Sequence, residues 1–171
     1  MIKKIQPCLL SGELIVPASK SDAQRAILAA SLCAGRSEVY NVGSSDDVRA
    51  MLNCVRQIGA TVLENENSVS IIGVSSFPKK ASFNCGESGL AFRLIAGICC
   101  VNDGIYHLNG AGSLLQRKHN FIDQFGAEYG IKVESENGKL PYAIHGGFSG
   151  KTIAIDSGQT SQFLSGLLMG L

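Results

Sequence analysis

Residues 16–26, VPASKSDAQRA, place a lysine, two hydroxyls and an arginine at the start of a predicted helix. The backbone N–H groups of a first helical turn are unpaired and carry partial positive charge, which attracts anions. Lys20 and Arg25 add two full positive charges, and Ser21 shares a helix face with Arg25 because the two are four residues apart. This combination predicts a site for a doubly charged anion such as phosphate.

A second interpretation gives the same residues a structural role. Residues 21–24, Ser-Asp-Ala-Gln, also fit a capping box, in which Ser21 caps the helix and Gln24 reaches back to the cap. In that case Ser21 satisfies the free N–H groups of its own helix and binds no ligand. The isolated pattern leaves both interpretations open.

Two further segments have a small, polar turn before a predicted helix. They are residues 87–89 (Glu-Ser-Gly) and 160–162 (Thr-Ser-Gln). If the units that contain them pack around a pseudo-threefold axis, several positive helix ends meet in one cleft, which would suit an anionic substrate. The alternative is that each turn is an ordinary N-cap.

The elements that carry these turns recur at a period of roughly seventy residues. The first unit, residues 12–78, is predicted to be β-α-β-α-β-β. Its strands cover residues 12–16, 38–41, 61–64 and 68–72, and its helices cover 22–33 and 48–58. Gly59-Ala60 ends its second helix, and Gly73 ends its last strand.

The second unit, residues 79–150, is predicted to repeat this order. Its strands cover residues 81–85, 104–108, 128–134 and 142–145, and its first helix covers 89–101. Gly126-Ala127 ends its second helix and Gly146 its last strand, as the matching glycines do in the first unit. A third unit, residues 151–171, begins with a strand over 152–156 and an apolar helix from Gln162. Because that helix ends without a charged last turn, we expect the chain to be part of a longer protein.

Composition narrows the class of protein. A chain of 171 residues with 45% hydrophobic and 17% charged residues is typical of a globular domain with a normal core. A net charge of +1 without a basic run gives no support for nucleic-acid binding. The sequence also shows no apolar run of membrane-spanning length, and we expect no cleavable leader because no small-residue cleavage site follows the basic N-terminus.

Six cysteines and three histidines show no metal-binding spacing, and C-x-x-C is absent. Four of the cysteines lie among apolar neighbours, as small core residues do. We therefore expect reduced thiols, a cytoplasmic protein, and neither a metal nor a cofactor.

Several segments together resemble one family, the enolpyruvyl transferases that make 5-enolpyruvylshikimate 3-phosphate (EPSP synthases). The first is the Lys-Ser…Arg segment described above. The others, which extend the likeness over the whole chain in order, are residues 45–52 (SDDVRAML), 86–93 (GESGLAFR), 116–117 (QR), 146–150 (GGFSG) and 160–169 (TSQFLSGLLM). The joint likeness favours the binding interpretation of Lys20, Ser21 and Arg25.

The resemblance implies an α/β fold of repeated β-α-β-α-β-β units around a pseudo-threefold axis, with helices inside and sheets outside. Substrates bind in a cleft between two such domains. Residues 1–14 would then supply the first strand of the other domain, and residues 15–171 would form an incomplete enolpyruvyl transferase domain. The family's acid/base carboxylates belong to its C-terminal half, so the 171 residues alone are expected to lack turnover. The whole protein is expected to be a monomer.

The resemblance also implies the reaction and the residues that serve it. The enolpyruvyl group of phosphoenolpyruvate (PEP) is transferred to the 5-hydroxyl of shikimate 3-phosphate, in the shikimate pathway to the aromatic amino acids. Shikimate 3-phosphate would contact Lys20, Ser21, Arg25, Thr160, Ser161 and Gln162. PEP would contact Lys20, Gly89, Arg117 and Gln162. Lys20, which touches both substrates, is the catalytic residue expected in this chain.

Besides Thr160, which stands where the family has a serine and keeps the hydroxyl, three positions depart from the family pattern. Glu87 and Leu90 stand where the family usually has asparagine and threonine, and Lys118 replaces a proline. A carboxylate beside a bound phosphate would repel it unless Glu87 points away or pairs with a lysine or an arginine. These changes leave the details of PEP binding open.

Two other functions remain alternatives. The sister enzyme that acts on UDP-N-acetylglucosamine usually carries a reactive cysteine five residues before the loop arginine, where this chain has Gly112. The chain could also be a binding or folding module without catalysis.

Overall fold

The computed structural model describes residues 3–4, 6–150, 152–156 and 161–171. The first unit contains two helices and three strands. They are α1 (Lys20–Leu32), β1 (Gly35–Tyr40), α2 (Asp46–Ile58), β2 (Thr61–Glu64) and β3 (Ser68–Gly73). The strands form an antiparallel sheet in the order β1-β3-β2.

The second unit has the same order of elements with one more strand. It contains β4 (Lys80–Asn84), α3 (Gly89–Val101), β5 (Gly104–Asn109), a 3₁₀ helix (Gly112–Gln116), α4 (Asn120–Tyr129), β6 (Lys132–Glu136) and β7 (Lys139–Gly146). Its sheet has the order β4-β5-β7-β6, with β4 parallel to β5 and the other pairs antiparallel. The helix α5 (Ser161–Gly170) follows.

Helix α3 forms the centre of the core. All of its 13 residues except Arg93 and Val101 are buried, so this helix is apolar on nearly every side. It packs closely on α5 because Gly97 and Gly166 leave no β-carbon between the two backbones. The two sheets lie outside the helices, with large apolar residues such as Tyr40 and Ile72 partly exposed on their outer faces. The predicted fold class, with helices inside and sheets outside, is confirmed.

The repeat is visible in the packing of two equivalent glycines. Gly73 pairs with Gly35 across β3 and β1, and Gly146 pairs with Gly104 across β7 and β5. A β-carbon at Gly73 would overlap carbonyl oxygens at the end of α1, and one at Gly146 would overlap those at the end of α3. In both units the end of the last strand therefore touches the end of the first helix.

The predicted helix end at Gly126 is wrong. Helix α4 continues to Tyr129 and ends at Gly130, which has a positive φ of 70° and is the counterpart of Gly59. Gly126 lies inside α4. A glycine fits this position because a β-carbon there would crowd Val133 of β6. The strand predicted over 128–134 accordingly begins only at residue 132.

Two other predicted strands are not formed. Residues 12–16 have no strand hydrogen bonding, and their apolar side chains Leu14, Ile15 and Val16 are exposed. Residues 152–156 also form no strand. That segment is held instead by Tyr129, whose hydroxyl bonds to the backbone N–H and C=O of Ala154. Whether residues 1–14 belong to another domain stays a prediction.

Four cysteines are buried, as the sequence predicts: Cys54, Cys85, Cys99 and Cys100. Cys54 and Cys85 lie with their sulfur atoms 4.0 Å apart, and all six thiols are free. Burial raises the pKa of the Cys100 thiol to about 12, so this group stays protonated and unreactive. In the described parts of the chain no helix is long and apolar enough to cross a membrane.

Candidate functional site

The start of α1 is capped by Ser19, whose Oγ accepts the N–H of Asp22 at 3.4 Å. The alternative interpretation, in which Ser21 caps the helix, is therefore wrong, because the cap is Ser19. Arg25 Nη1 donates to the carbonyl of Ser21 at 3.2 Å, which shows that both residues share one helix face. Ser21 and Arg25 are half-buried at this face.

Lys20 is held by an acidic residue from the next helix. Its Nζ lies 2.6 Å from Oδ2 of Asp47, in the first turn of α2. The Lys20 side chain is 65% exposed, so its ammonium group remains open to solvent on other sides. Asp47 fixes the direction of a flexible side chain, and an incoming anion would compete with it for the charge.

A buried hydrogen-bonded bridge connects the starts of α1 and α3. Gln24 Nε2 donates to the carbonyl of Lys20 at 3.1 Å, and Gln24 Oε1 accepts from Ser88 Oγ at 2.8 Å. Ser88 in turn accepts the N–H of Ala91 and so caps α3. Gln24 and Ser88 are 1% and 2% exposed, so this pair of buried polar groups fixes the two helix starts relative to one another.

Two arginines converge on Gly89, the first residue of α3. A β-carbon at Gly89 would lie 3.1 Å from Nη1 of Arg117 and 3.3 Å from Nη1 of Arg93. Glycine therefore lets both guanidinium groups approach the N-terminal turn of α3. Two positive charges beside a helix start form a strong attractor for an anion.

Arg93 connects α3 with α5. Its Nη1 donates to Oε1 of Gln162 at 2.9 Å, while its Nε is buried without a hydrogen-bond partner among the described residues. Burial first, and then the nearby charge of Arg117, lower the pKa of Arg93. A bound anion would offset both the burial of the Arg93 charge and its repulsion by Arg117.

The structure brings most of the expected site residues to three connected helix starts. Lys20, Ser21 and Arg25 lie at α1, Gly89 at α3, and Gln162 in the first turn of α5. Ser161 is exposed as the first residue of α5. Arg117 follows the 3₁₀ helix and reaches α3. Thr160 lies outside the described residues.

The three residues that depart from the family pattern differ in their contacts and in their burial. The carboxylate of Glu87 accepts the backbone N–H of Ser113 at 2.9 Å and lies against Gly112. Leu90 is buried as part of the core. Lys118 is exposed.

Sequence reasoning missed Asp47, Arg93 and Gln24. Asp47 belongs to the segment 45–52, but the sequence does not show that this acid faces Lys20. Arg93 is four residues after Gly89, so helical spacing could have placed it beside the same turn. Gln24 was assigned to a cap of its own helix, whereas it bonds to Ser88, 64 residues away.

The chemistry available at these helix starts is anion binding. They present cationic groups, hydroxyls and an amide, while Asp47 is paired with Lys20 and Glu87 accepts the backbone N–H of Ser113. No group of three or more His, Cys, Asp or Glu among the described residues could hold a metal ion.

Comparisons with known proteins show the family to which the chain belongs. The solved EPSP synthase from Acinetobacter baumannii matches with a TM-score of 0.78 at 26% identity and covers 93% of this chain and 37% of that chain. The fold is that of the enolpyruvyl transferases. The family model EPSP synthase (3-phosphoshikimate 1-carboxyvinyltransferase) matches residues 4–171, and the chain belongs to that family.

Curated relatives carry the same name. The 3-phosphoshikimate 1-carboxyvinyltransferase of Clostridium botulinum (strain Alaska E43 / Type E3) is 33% identical over 98% of this chain and 40% of its own length. That of Methanocorpusculum labreanum is 37% identical over 94% of this chain and 39% of its own length. The chain thus spans about 40% of the length of these relatives.

Proposed function

We propose that the whole protein transfers the enolpyruvyl group of PEP to the 5-hydroxyl of shikimate 3-phosphate. The observation that carries this proposal is the hydrogen-bonded connection of three helix starts with their cationic residues, in a member of the EPSP synthase family. The hydroxyl oxygen adds to the central carbon of PEP, and the adduct then eliminates inorganic phosphate to regenerate the double bond. The products are EPSP and phosphate.

This chain would supply most of the contacts with shikimate 3-phosphate. Ser21 and Arg25 would bind the ring hydroxyl and carboxylate. Thr160 and Ser161 would bind the 3-phosphate, while Gln162 would lie under the ring near PEP. Orienting two anionic substrates together requires several cationic groups and hydroxyls, which this arrangement provides.

PEP would be held by fewer residues of this chain. Lys20 would contact both substrates and act as the catalytic residue. Arg117 would pair with the phosphate of PEP beside Gly89, with Gln162 nearby. Further contacts and the acid/base groups would come from the remainder of the protein, which would also include the domain completed by residues 1–14.

The sister reaction on UDP-N-acetylglucosamine is less well supported. At the position of its usual cysteine, Gly112 has a φ of 51° and the carboxylate of Glu87 lies where a side chain would begin. The free thiols fit a cytoplasmic enzyme. We propose a monomer that uses no cofactor and binds neither nucleic acid nor membrane.

Calorimetric titration of the 171-residue chain tests the proposed binding roles. We expect shikimate 3-phosphate to bind measurably and PEP alone to bind more weakly. Arg25→Ala should weaken shikimate 3-phosphate about tenfold or more, because a hydrogen bond to a charged group contributes about 1.5–3 kcal/mol. Arg36→Ala is the matched control, since Arg36 lies exposed on β1 and pairs with Glu38.

Two results would contradict this assignment. One is tighter binding of PEP alone than of shikimate 3-phosphate. The other is an Arg25→Ala variant that binds like the Arg36→Ala control. Phosphate release from the two substrates together, followed in the same samples, should be absent for the 171-residue chain.

A further inference from the structure

Glu87 lies between the turn that starts α3 and the segment that carries Arg117. Its Oε2 accepts the backbone N–H of Ser113 at 2.9 Å. Ser113 Oγ then accepts from Nη2 of Arg117 at 3.0 Å. A continuous path of two hydrogen bonds thus connects the Glu87 carboxylate with the Arg117 guanidinium.

The backbone of the same two segments is also joined. The N–H of Ala111 donates to the carbonyl of Gly86 at 2.7 Å, one residue before Glu87. Gly112 has no side chain, and the space beside its α-carbon is filled by the Glu87 carboxyl group. Glu87 and Gly112 therefore fit together as a pair, and a β-carbon at residue 112 would displace the carboxylate.

We propose that Glu87 is a positioning residue that holds the 3₁₀ segment so that Arg117 faces Gly89 and an anion bound there. This inference rests on the proposed function of Arg117 as a phosphate ligand. It reverses the simplest electrostatic expectation, in which a carboxylate at residue 87 only repels a nearby phosphate. The carboxylate is engaged by Ser113 and contributes to anion binding through the placement of Arg117.

The two interpretations predict opposite effects of substitution. If repulsion dominates, Glu87→Ala and Glu87→Gln both strengthen anion binding, because both remove the charge. If positioning dominates, the two variants differ. Glu87→Gln keeps a carbonyl oxygen that can accept the Ser113 N–H, whereas Glu87→Ala keeps no acceptor.

A first measurement needs no ligand. Exchange of the Ser113 amide proton with solvent, followed by NMR, should be about tenfold faster or more in Glu87→Ala than in wild type, because the alanine variant has no acceptor for this N–H. Glu87→Gln should keep most of the protection, since its side-chain carbonyl oxygen can accept the same hydrogen bond. Equal exchange in wild type and Glu87→Ala would overturn the proposal.

A second measurement uses inorganic phosphate at constant pH and ionic strength, followed through the Nε–H signal of Arg117. We expect phosphate to bind about tenfold more weakly to Glu87→Ala than to Glu87→Gln. Equal or tighter binding to Glu87→Ala would overturn the positioning role. If phosphate fails to bind the wild type while the Ser113 amide is still protected from exchange, the role of Arg117 in the proposed function is overturned and only the contact between Glu87 and Ser113 is confirmed.

Gly112→Ala provides an independent way to break the hydrogen bond between Glu87 and the Ser113 N–H. The added β-carbon should displace the carboxylate and reproduce the Ser113 exchange of Glu87→Ala. Gly130→Ala is the matched control, since Gly130 also has a positive φ and a β-carbon there meets nothing within 4 Å. Normal Ser113 exchange in Gly112→Ala would contradict the proposed fit between Glu87 and Gly112.

Discussion

The two repeated units share a backbone arrangement and reverse the placement of their charges. In the first unit the cation Lys20 starts the first helix and the acid Asp47 starts the second. In the second unit the acid Glu87 precedes the first helix and the cation Arg117 precedes the second. In both units the shared backbone brings the starts of the first and second helices close together. The sequence of each unit decides which of these two segments contributes the positive charge.

The units also differ at the edge of the sheet and at the N-cap of the second helix. Strand β5 pairs with β4, whereas β1 has no such neighbour among the described residues. The second helix of the first unit is capped by Ser45, which accepts the N–H of Val48. Its counterpart α4 begins after His119, whose ring forms no cap and is buried instead. In the second unit the residue at this position, His119, therefore packs in the core and does not cap the helix.

The largest effect is expected where the units are most alike. Gly146→Ala would force a β-carbon onto the carbonyl oxygens of Cys99 and Asn102, which are fixed backbone atoms. Gly73→Ala would do the same at the end of α1. We expect each to lower the free energy of unfolding by about 2–3 kcal/mol, measured by urea denaturation.

Gly130→Ala separates this steric effect from backbone strain. Its β-carbon meets no neighbour, so only the positive φ opposes it, at a cost of about 1 kcal/mol. If Gly146→Ala destabilised the chain no more than Gly130→Ala, the close packing of strand end on helix end would not be a stabilising feature of the repeat.

A smaller effect is expected from pH. The second unit contains the buried His119, which should make the stability of the chain depend on pH. Burial, with the nearby charges of Arg93 and Arg117, lowers the pKa of His119 to about 4, although Asp123 opposes the shift. The unfolded chain binds this proton near the ordinary histidine pKa of about 6.5, so stability is lost as pH falls from there toward 4. The slope approaches about 1.4 kcal/mol per pH unit.

Urea unfolding of His119→Phe between pH 5 and 7 measures that contribution. Phenylalanine removes the titrating group and keeps a ring against Phe92, whose ring is tilted by 51° relative to that of His119 with 4.5 Å between the centroids. The variant should lose stability less steeply than wild type as the pH falls. His107→Phe, at an exposed position of β5, is the matched control. Equal slopes in His119→Phe, the control and wild type would refute the assignment to His119.

Much of this architecture follows from periodicity and turn residues. The apolar helix starting at Gly89 and the strands over 61–64 and 68–72 could be predicted because their patterns are long or clearly bounded. The helix end at Gly126 was predicted wrongly because a glycine that permits close packing looks the same in sequence as one that ends a helix. Residues 12–16 have a strand-like sequence, but a strand also requires a neighbour.

The candidate site was predictable only in part for the same reason. Lys20, Arg25 and Arg117 stand out by their charge and by family likeness. The partners that place them come from distant parts of the chain, as when Gln24 bonds to Ser88. No local pattern in the sequence reveals such a contact between the two units.

We propose that helix starts from different units form one binding surface for shikimate 3-phosphate. NMR mapping of backbone amides during titration with this ligand tests it most directly. We expect saturable shifts both at residues 19–25 of the first unit and at residues 161–162, with none along β2 (Thr61–Glu64). Shifts confined to one helix start, or found only on the outer sheets, would contradict a surface shared between the units.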